Sequence, residues 1–315
     1  IMSSDWSSDV CSSDLDPVVP RTATVAAPGK VNLGLRVAAR RGDGFHEIDT
    51  VFAALDVGDL LRVERSAEAG VRGVVRDERG AAAAGETLPG MDEGNLAWRA
   101  ADAWLRESGA SGGVRIELRK RLPVAAGLGG GSSDAAAVLR ALAALEPERS
   151  VDPVRLGAQL GSDVPFFAAG VASARGRGRG ERLRPFELPP RWLVLVNPGV
   201  AVPVARAYGR LGGFGPPVEW EALVDAWCSG RAPRWRNDLQ AGVFASEPGV
   251  RAAWASLADA GLEAPLLSGS GGTCFAVAPD EDRAREAAER IATQRPDWWV
   301  RTARAPLAPE PPRLA

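Results

Sequence analysis

A two-domain architecture of mixed helix and strand is what this sequence predicts, and three observations carry it. At 315 residues with 45% hydrophobic content, the chain can bury one large core or two ordinary ones, and the length favours two domains. Segments that read as strands, among them the alternating run 114–118 and the stretch 192–196, are interspersed in both halves with segments that read as helices. Residues 122–136 read LPVAAGLGGGSSDAA, a glycine-rich junction between a strand pattern and a helix pattern.

Taken in order, residues 1–16 contain the triplet Ser-Ser-Asp three times, without the basic start or continuous apolar centre of a signal peptide. Residues 1–21 are therefore set apart as a non-native-looking or disordered leader, and Cys11 with them. Strands are expected at 24–26 and 31–37 around a Pro28-Gly29 turn, then at 51–54 and 60–64. Residues 65–93, rich in glycine, alanine and charge, read as an irregular connection. A helix over 95–107 with Leu96, Ala100, Ala103 and Trp104 near one face precedes a strand over 114–118. A helix from the glycine loop to about residue 145 follows, then one over 153–160 that ends in a turn over 161–167. The Arg/Gly run at 175–179 with Pro185, Pro189 and Pro190 marks a boundary between an N-terminal domain, 22–186, and a C-terminal domain, 187–306. The second domain opens with a strand at 192–196 and has helices near 219–227, 252–259 and 281–292. It also carries a second glycine loop, SGSGGTCFAV, at 268–277. Residues 307–315 form a proline-rich tail.

The first glycine loop reads as a phosphate-binding device. Gly127, Gly129, Gly130 and Gly131 lack a Cβ, so the backbone can approach an anion and adopt positive φ. Ser132, Ser133 and Asp134 supply cap chemistry for the helix that follows, whose free N–H groups and positive dipole end face the same place. A Walker loop is excluded because no lysine follows the glycines, and a dinucleotide fingerprint starting at Gly127 needs glycine where Ser132 stands. A flexible linker is the competing reading; Leu128 and the helix-forming run 135–145 argue against it.

Composition narrows the partners. A net charge of −2 and a pI near 5.7 leave no electrostatic footprint for nucleic acid or a membrane surface, and no 18-residue apolar span occurs. Cys11, Cys228 and Cys274 share no close spacing, which fits neither a disulfide framework nor a zinc site. A cytoplasmic enzyme acting on small molecules is expected, as a monomer or a homodimer. Only Lys30 and Lys120 are lysines, the other 36 of the 38 cations being arginine. A compact ammonium approaches a single oxygen better than a guanidinium and shifts its pKa more readily. Both lysines are therefore candidates for chemistry, with chance surface placement as the alternative.

Five segments then occur in an order found in one kinase superfamily. APGKVNLGLRVAARRGDGFHEIDTVF at 27–52, EGNLAWRAA at 93–101, KRLPVAAGLGGGSSDAA at 120–136, GSDVPFF at 161–167 and SGSGGTCFA at 268–276 resemble the GHMP small-molecule kinases, over residues 22–306. RRGDGFHEI and GSDVPFF narrow the likeness to the 4-diphosphocytidyl-2-C-methyl-D-erythritol kinases of the non-mevalonate isoprenoid pathway. Gly29 stands where that branch often has alanine, and residues 65–93 and 147–153 differ in length from its usual pattern. The resemblance implies the α+β fold class: a two-domain GHMP kinase fold, with a left-handed βαβ unit in the N-terminal domain and a ferredoxin-like C-terminal domain. It implies ATP-dependent phosphorylation of the 2-hydroxyl of 4-diphosphocytidyl-2-C-methyl-D-erythritol. Another GHMP acceptor (mevalonate, homoserine or a sugar) and a catalytically silent ATP-binding protein are the alternatives.

By matching position, Lys30 corresponds to the family's active-site lysine and Asp163 to its catalytic aspartate. Asp163 is then expected to accept the proton of the attacking hydroxyl, while Lys30 keeps the carboxylate ionised and stabilises the developing alkoxide. Capping of the segment 164–167 is the plainer use of such an aspartate. Asn32, two residues past Lys30 and so on the same strand face, is placed at the acceptor hydroxyl. Phe45 and His46, the only histidine, match a pair that holds cytosine by stacking and hydrogen bonding, and Tyr208, the only tyrosine, stands where the family has a second aromatic. A core histidine and an exposed tyrosine are the plainer readings. The resemblance assigns the ATP phosphates to Gly127, Leu128, Gly129, Gly130, Gly131, Ser132 and Ser133, and places Asn95 and Lys120 near the adenine. Mg²⁺ is expected with the triphosphate, Ser133 being the candidate ligand. Gly269 and Gly271 would close over the substrate from the second domain, or form a tight turn before the strand that starts at Cys274.

Overall fold

The structure, a computed structural model, describes residues 21–80, 88–231 and 233–315, so the leader assigned to 1–21 lies outside it except for Arg21, as does Cys11. In chain order the elements of the first half are β1 Thr22–Arg40, β2 His46–Ser66, β3 Gly70–Asp77, α1 Leu96–Ser108, β4 Gly113–Lys120, α2 Gly130–Leu145, α3 Pro153–Leu160, α4 Val164–Ala168, β5 Ser173–Gly178 and β6 Arg182–Pro185. The second half contributes β7 Arg191–Asn197, α5 Val204–Gly209, α6 Trp220–Cys228, α7 Gln240–Ser246, α8 Pro248–Asp259, β8 Glu263–Leu267, β9 Cys274–Ala278, α9 Glu281–Gln294, β10 Trp299–Ala305 and β11 Arg313–Leu314.

β1 and β2 are each one long strand where the sequence pattern reads two. The Pro28-Gly29 turn expected from composition is a register irregularity: Pro28 pairs with Gly58 and Lys30 with Ala54, so Gly29 alone faces three residues of β2. Such an irregularity changes which face of the sheet the side chains address. Val25 and Ala27 pack on the helix side with α1 and α2, whereas Val31 and Leu33 pack between the two sheets. Lys30 and Asn32, paired with Ala54 and Phe52 of the helix-side core, therefore point toward α2 and the glycine loop.

Three other segments differ from the sequence reading. Within the stretch read as irregular, β3 pairs in parallel with β4, and α1 makes the crossover that a parallel pair requires. Its side chains are exposed or half-buried, so no strong apolar alternation marks it. The Arg/Gly run is strand β5, hydrogen-bonded to β2 within the first sheet rather than free between domains, and Arg175 is held there by Asp49. The tail's β11 pairs with the start of β1.

The first sheet runs β11-β1-β2-β4-β3, with β5 and β6 attached to the far end of β2. The second runs β10-β7-β9-β8, all antiparallel. With β7 first and β10 last in the chain, this is the strand order of a ferredoxin-like βαββαβ unit, α8 and α9 serving as its helices. Leu193 and Leu195 of β7 face the first sheet, and Val194 and Val196 face α8 and α9. Burial on both faces is why this strand reads as an unbroken apolar run.

Candidate active site

Lys30 is 4% exposed and uses its three donors on three partners: Asn32 Oδ1 at 2.7 Å, the Gly127 carbonyl at 2.8 Å and Asp163 Oδ2 at 3.5 Å. Burial lowers its pKa from the ordinary lysine value, and Asp163 opposes that shift. Asn32 is oriented in turn, donating to Thr50 Oγ1 at 2.8 Å, and Thr50 donates to the Gly34 carbonyl at 2.6 Å. Asp163 precedes α4 without capping it by its side chain. Its carboxylate is thus free of the capping role and faces the ammonium.

The glycine loop joins β4 to α2. Gly129, at φ 70°, is the residue before the helix, so Ser132, Ser133 and Asp134 lie inside the first turns instead of capping it. Gly127, at φ 79°, presses against the second glycine loop so closely that a Cβ would strike the Ser268 carbonyl, and a Cβ on Gly271 would strike the Gly127 amide. Ser268 Oγ donates to the Gly127 carbonyl at 3.0 Å, and the Thr273 amide donates to the Ala126 carbonyl at 3.0 Å. Gly269, at φ 57°, leaves the space that Asn32 Oδ1 and Lys30 Nζ occupy. The two loops, about 140 residues apart in sequence, form one backbone-to-backbone floor.

Two cavities meet at Lys30, Ser132, Asp163 and Ser270. One, of about 430 Å³, includes Asn95, Lys120 and Gly129–Gly131 in its wall. Leu128 is buried beneath the loop, and Ser133 Oγ is buried without a hydrogen-bond partner. Asn95 caps α1, accepting from the Ala97 amide at 2.9 Å and donating to the Gly90 carbonyl at 2.9 Å. Lys120 is committed as well: its ammonium contacts Asp59 and lies 2.8 Å from Asp134 Oδ2. Burial disfavours that charge, but Asp134 and Asp59 outweigh it and push the lysine up to about 12. Burial, with Asp59 adding to it, pushes Asp134 up to about 8 against the pull of Lys120.

The other cavity, of about 830 Å³, brings together Asn32, Phe45, His46, Tyr208 and Gly269. His46 and Tyr208 stack on each other with centroids 4.7 Å apart, and Phe45, 50% exposed, carries the Arg179 guanidinium 4.9 Å above its ring. Burial and then Arg40 lower the His46 pKa, which favours a neutral imidazole with one donor and one acceptor. Burial, and then Asp163, raise the Tyr208 hydroxyl.

Sequence reasoning missed the residues that position these groups. Asp59 is buried and accepts from the Leu122 amide at 2.9 Å besides pairing with Lys120. Asn237 donates to the Leu267 and Gly269 carbonyls at 2.9 and 2.6 Å and so anchors the second glycine loop. Nothing in their local sequence separates them from surface residues, because their partners lie tens to scores of residues away.

A glycine loop at the start of a helix, a buried lysine paired with a half-buried aspartate, and a ferredoxin-like second unit define a small-molecule kinase of the GHMP class. The profile described as GHMP kinases N terminal domain matches residues 95–171, and that described as GHMP kinases C terminal matches residues 223–297. The 4-diphosphocytidyl-2-C-methyl-D-erythritol kinase of Deinococcus radiodurans is 44% identical over 288 residues, covering 89% of this chain and 92% of that one. That of Thermus thermophilus is 43% identical over 268 residues, covering 84% and 91%. A crystal structure of 4-(cytidine 5'-diphospho)-2C-methyl-D-erythritol kinase superposes with a TM-score of 0.77 at 39% identity, covering 90% of this chain and 100% of that one. A homoserine kinase from Cytophaga hutchinsonii, at 18% identity and a TM-score of 0.67 over 95% and 99% of the two chains, shares the fold. Within the GHMP class, the chain belongs to the 4-diphosphocytidyl-2-C-methyl-D-erythritol kinase family.

Proposed function

We propose that this protein transfers the γ-phosphoryl group of ATP to the 2-hydroxyl of 4-diphosphocytidyl-2-C-methyl-D-erythritol. The observation that carries this reading is the meeting of a glycine-loop cavity and an aromatic-histidine cavity at Lys30 and Asp163. Asp163 takes the proton of the hydroxyl as it attacks, and Lys30 keeps the carboxylate charged and stands ready for the alkoxide. Asn32 orients both the lysine and the hydroxyl. The loop from Gly127 to Ser133 receives the phosphates. Asn95 and Lys120 support the adenine end from beneath, their side-chain polar groups being engaged elsewhere.

Mg²⁺ bound with the triphosphate neutralises charge on the transferred group. Ser133 Oγ, buried and unpartnered, fits as its protein ligand. Among the described residues no group of three or more His, Cys, Asp and Glu side chains is arranged to hold a metal alone. At the acceptor end, neutral His46 hydrogen-bonds cytosine, with Phe45 and Tyr208 as stacking surfaces. Two domains, 22–186 and 187–306, enclose these sites, and use of ATP supports a cytoplasmic enzyme. Among the described residues no helix is long and apolar enough to cross a membrane.

ADP release tests the reading, with Mg-ATP and, separately, the cytidyl compound, the same compound lacking its cytidine, mevalonate and homoserine. Turnover confined to the cytidyl compound is expected. Turnover of mevalonate or homoserine in its place rejects the assigned acceptor, and ATP binding without turnover of any of them rejects catalysis.

A further inference from the structure

We propose that Arg179, assisted by Arg40, is a specificity-determining cation that grips the diphosphate of the cytidyl substrate, an inference that rests on the reading just given. Arg179 occupies the turn between β5 and β6, flanked by Gly178 at φ 75° and Gly180 at φ 114°, conformations that favour glycine. Carboxylates pin this turn from outside: the Gly178 amide donates to Glu47 Oε1 at 3.1 Å and the Arg179 amide to Glu181 Oε2 at 2.6 Å. From inside it abuts the reaction centre, since a Cβ on Gly180 would lie 3.3 Å from the Phe52 ring and 3.7 Å from Asp163 Oδ1. The run read as a boundary in the sequence thus delivers an arginine to the wall of the acceptor cavity.

Charge selects the ligand. The charged side chains lining that cavity are Lys30, Arg40, Asp163 and Arg179. Lys30 and Asp163 answer each other, which leaves two arginines over. Arg40 is exposed and has no ion pair among the described residues; Arg179 reaches Glu181 only at 4.0 Å. A diphosphate diester carries one negative charge on each phosphate, and the guanidinium fork suits phosphate oxygens bidentately. Arg179 now rests on the Phe45 ring. Rotation of its side chain onto the diphosphate uncovers that ring for the cytosine, so one movement serves both ends of the substrate.

Competitive inhibition against the cytidyl substrate, at saturating ATP, separates these contributions with cytidine, CMP and CDP as probes. Wild type is expected to bind CDP about 10- to 100-fold more tightly than cytidine, as a charge-assisted pair contributes. Arg179→Leu should abolish most of that preference by weakening CDP without weakening cytidine, which also reports an intact fold. Arg179→Lys should restore part of it, and Arg40→Leu should remove a smaller part. A preserved CDP preference in Arg179→Leu overturns the proposal. So does an equal loss for cytidine and CDP, which would mark Arg179 as support for Phe45, or an increase in the KM for ATP matching that for the acceptor. Wild type that cytidine and CDP both fail to inhibit would refute the cytidyl reading itself, and with it this assignment.

Discussion

The two ends of the cleft are built on opposite principles. At the transfer end, Lys30, Asn32 and Thr50 form a buried, fully directed chain of hydrogen bonds, and two glycine loops hold each other by backbone contact. At the end proposed for the cytosine, Phe45 is half in solvent beneath an arginine, and His46 lies flat against Tyr208 at a spacing that admits no ring between them. The first end is organised in advance for developing charge, which is where preorganised dipoles and cations are most effective. The second satisfies itself through contacts a ligand must replace. Chemistry and selectivity should therefore fail separately when each end is perturbed.

The largest effect is expected from Asp163→Asn. Loss of the proposed base should lower kcat by about 10²- to 10⁴-fold while nucleotide affinity, followed by fluorescence or calorimetry, stays close to wild type. Turnover near that of wild type would remove Asp163 from the role of base. An intermediate effect is expected at the other end: His46→Ala combined with Tyr208→Ala should raise the KM for the cytidyl substrate by about 10-fold or more, one stack contributing about 1–3 kcal/mol, with the KM for ATP little altered. Equal losses for both ligands would erase the contrast between the two ends.

The smallest effect concerns the scaffold under the glycine loop. Burial and Asp59 push Asp134 up to about 8 despite Lys120, so the folded protein keeps a proton that the unfolded chain releases above the ordinary value of 3.8. Its stabilising contribution is complete below that value and is lost as the pH rises through about 8. Asp134→Asn keeps the shape without the titration. It should flatten the fall in Tm between about pH 5 and 8. A slope identical to that of wild type would show that the carboxyl is already ionised there.

How much of this was legible beforehand depended on whether the signal was local. The glycine loop, the helix after it, the α3 segment and the apolar run of β7 rest on short-range rules, and each was readable. Strand β3 was not, because edge side chains carry little alternation, and β5 was hidden because glycine is a poor strand former and its SARGRG sequence has almost no apolar residues to alternate. Serines 132 and 133 looked like caps, but positive φ at Gly129 starts the helix earlier. Lys120 was picked out for being a lysine, yet its ammonium is buried between Asp59 and Asp134, 61 and 14 residues away in sequence.

By itself, the sequence determined the class of chemistry: a loop of four glycines can approach a triphosphate because it has no side chains, and motifs that resemble one kinase branch name an acceptor. Only the tertiary structure decided which groups act together. Lys30 and Asp163 belong to different elements 133 residues apart, and the face Lys30 presents was set by a pairing irregularity at Gly29. The physical reason is that propensity and φ are properties of a few adjacent residues, whereas burial, pairing register and charge partners arise only when distant strands are packed into one sheet.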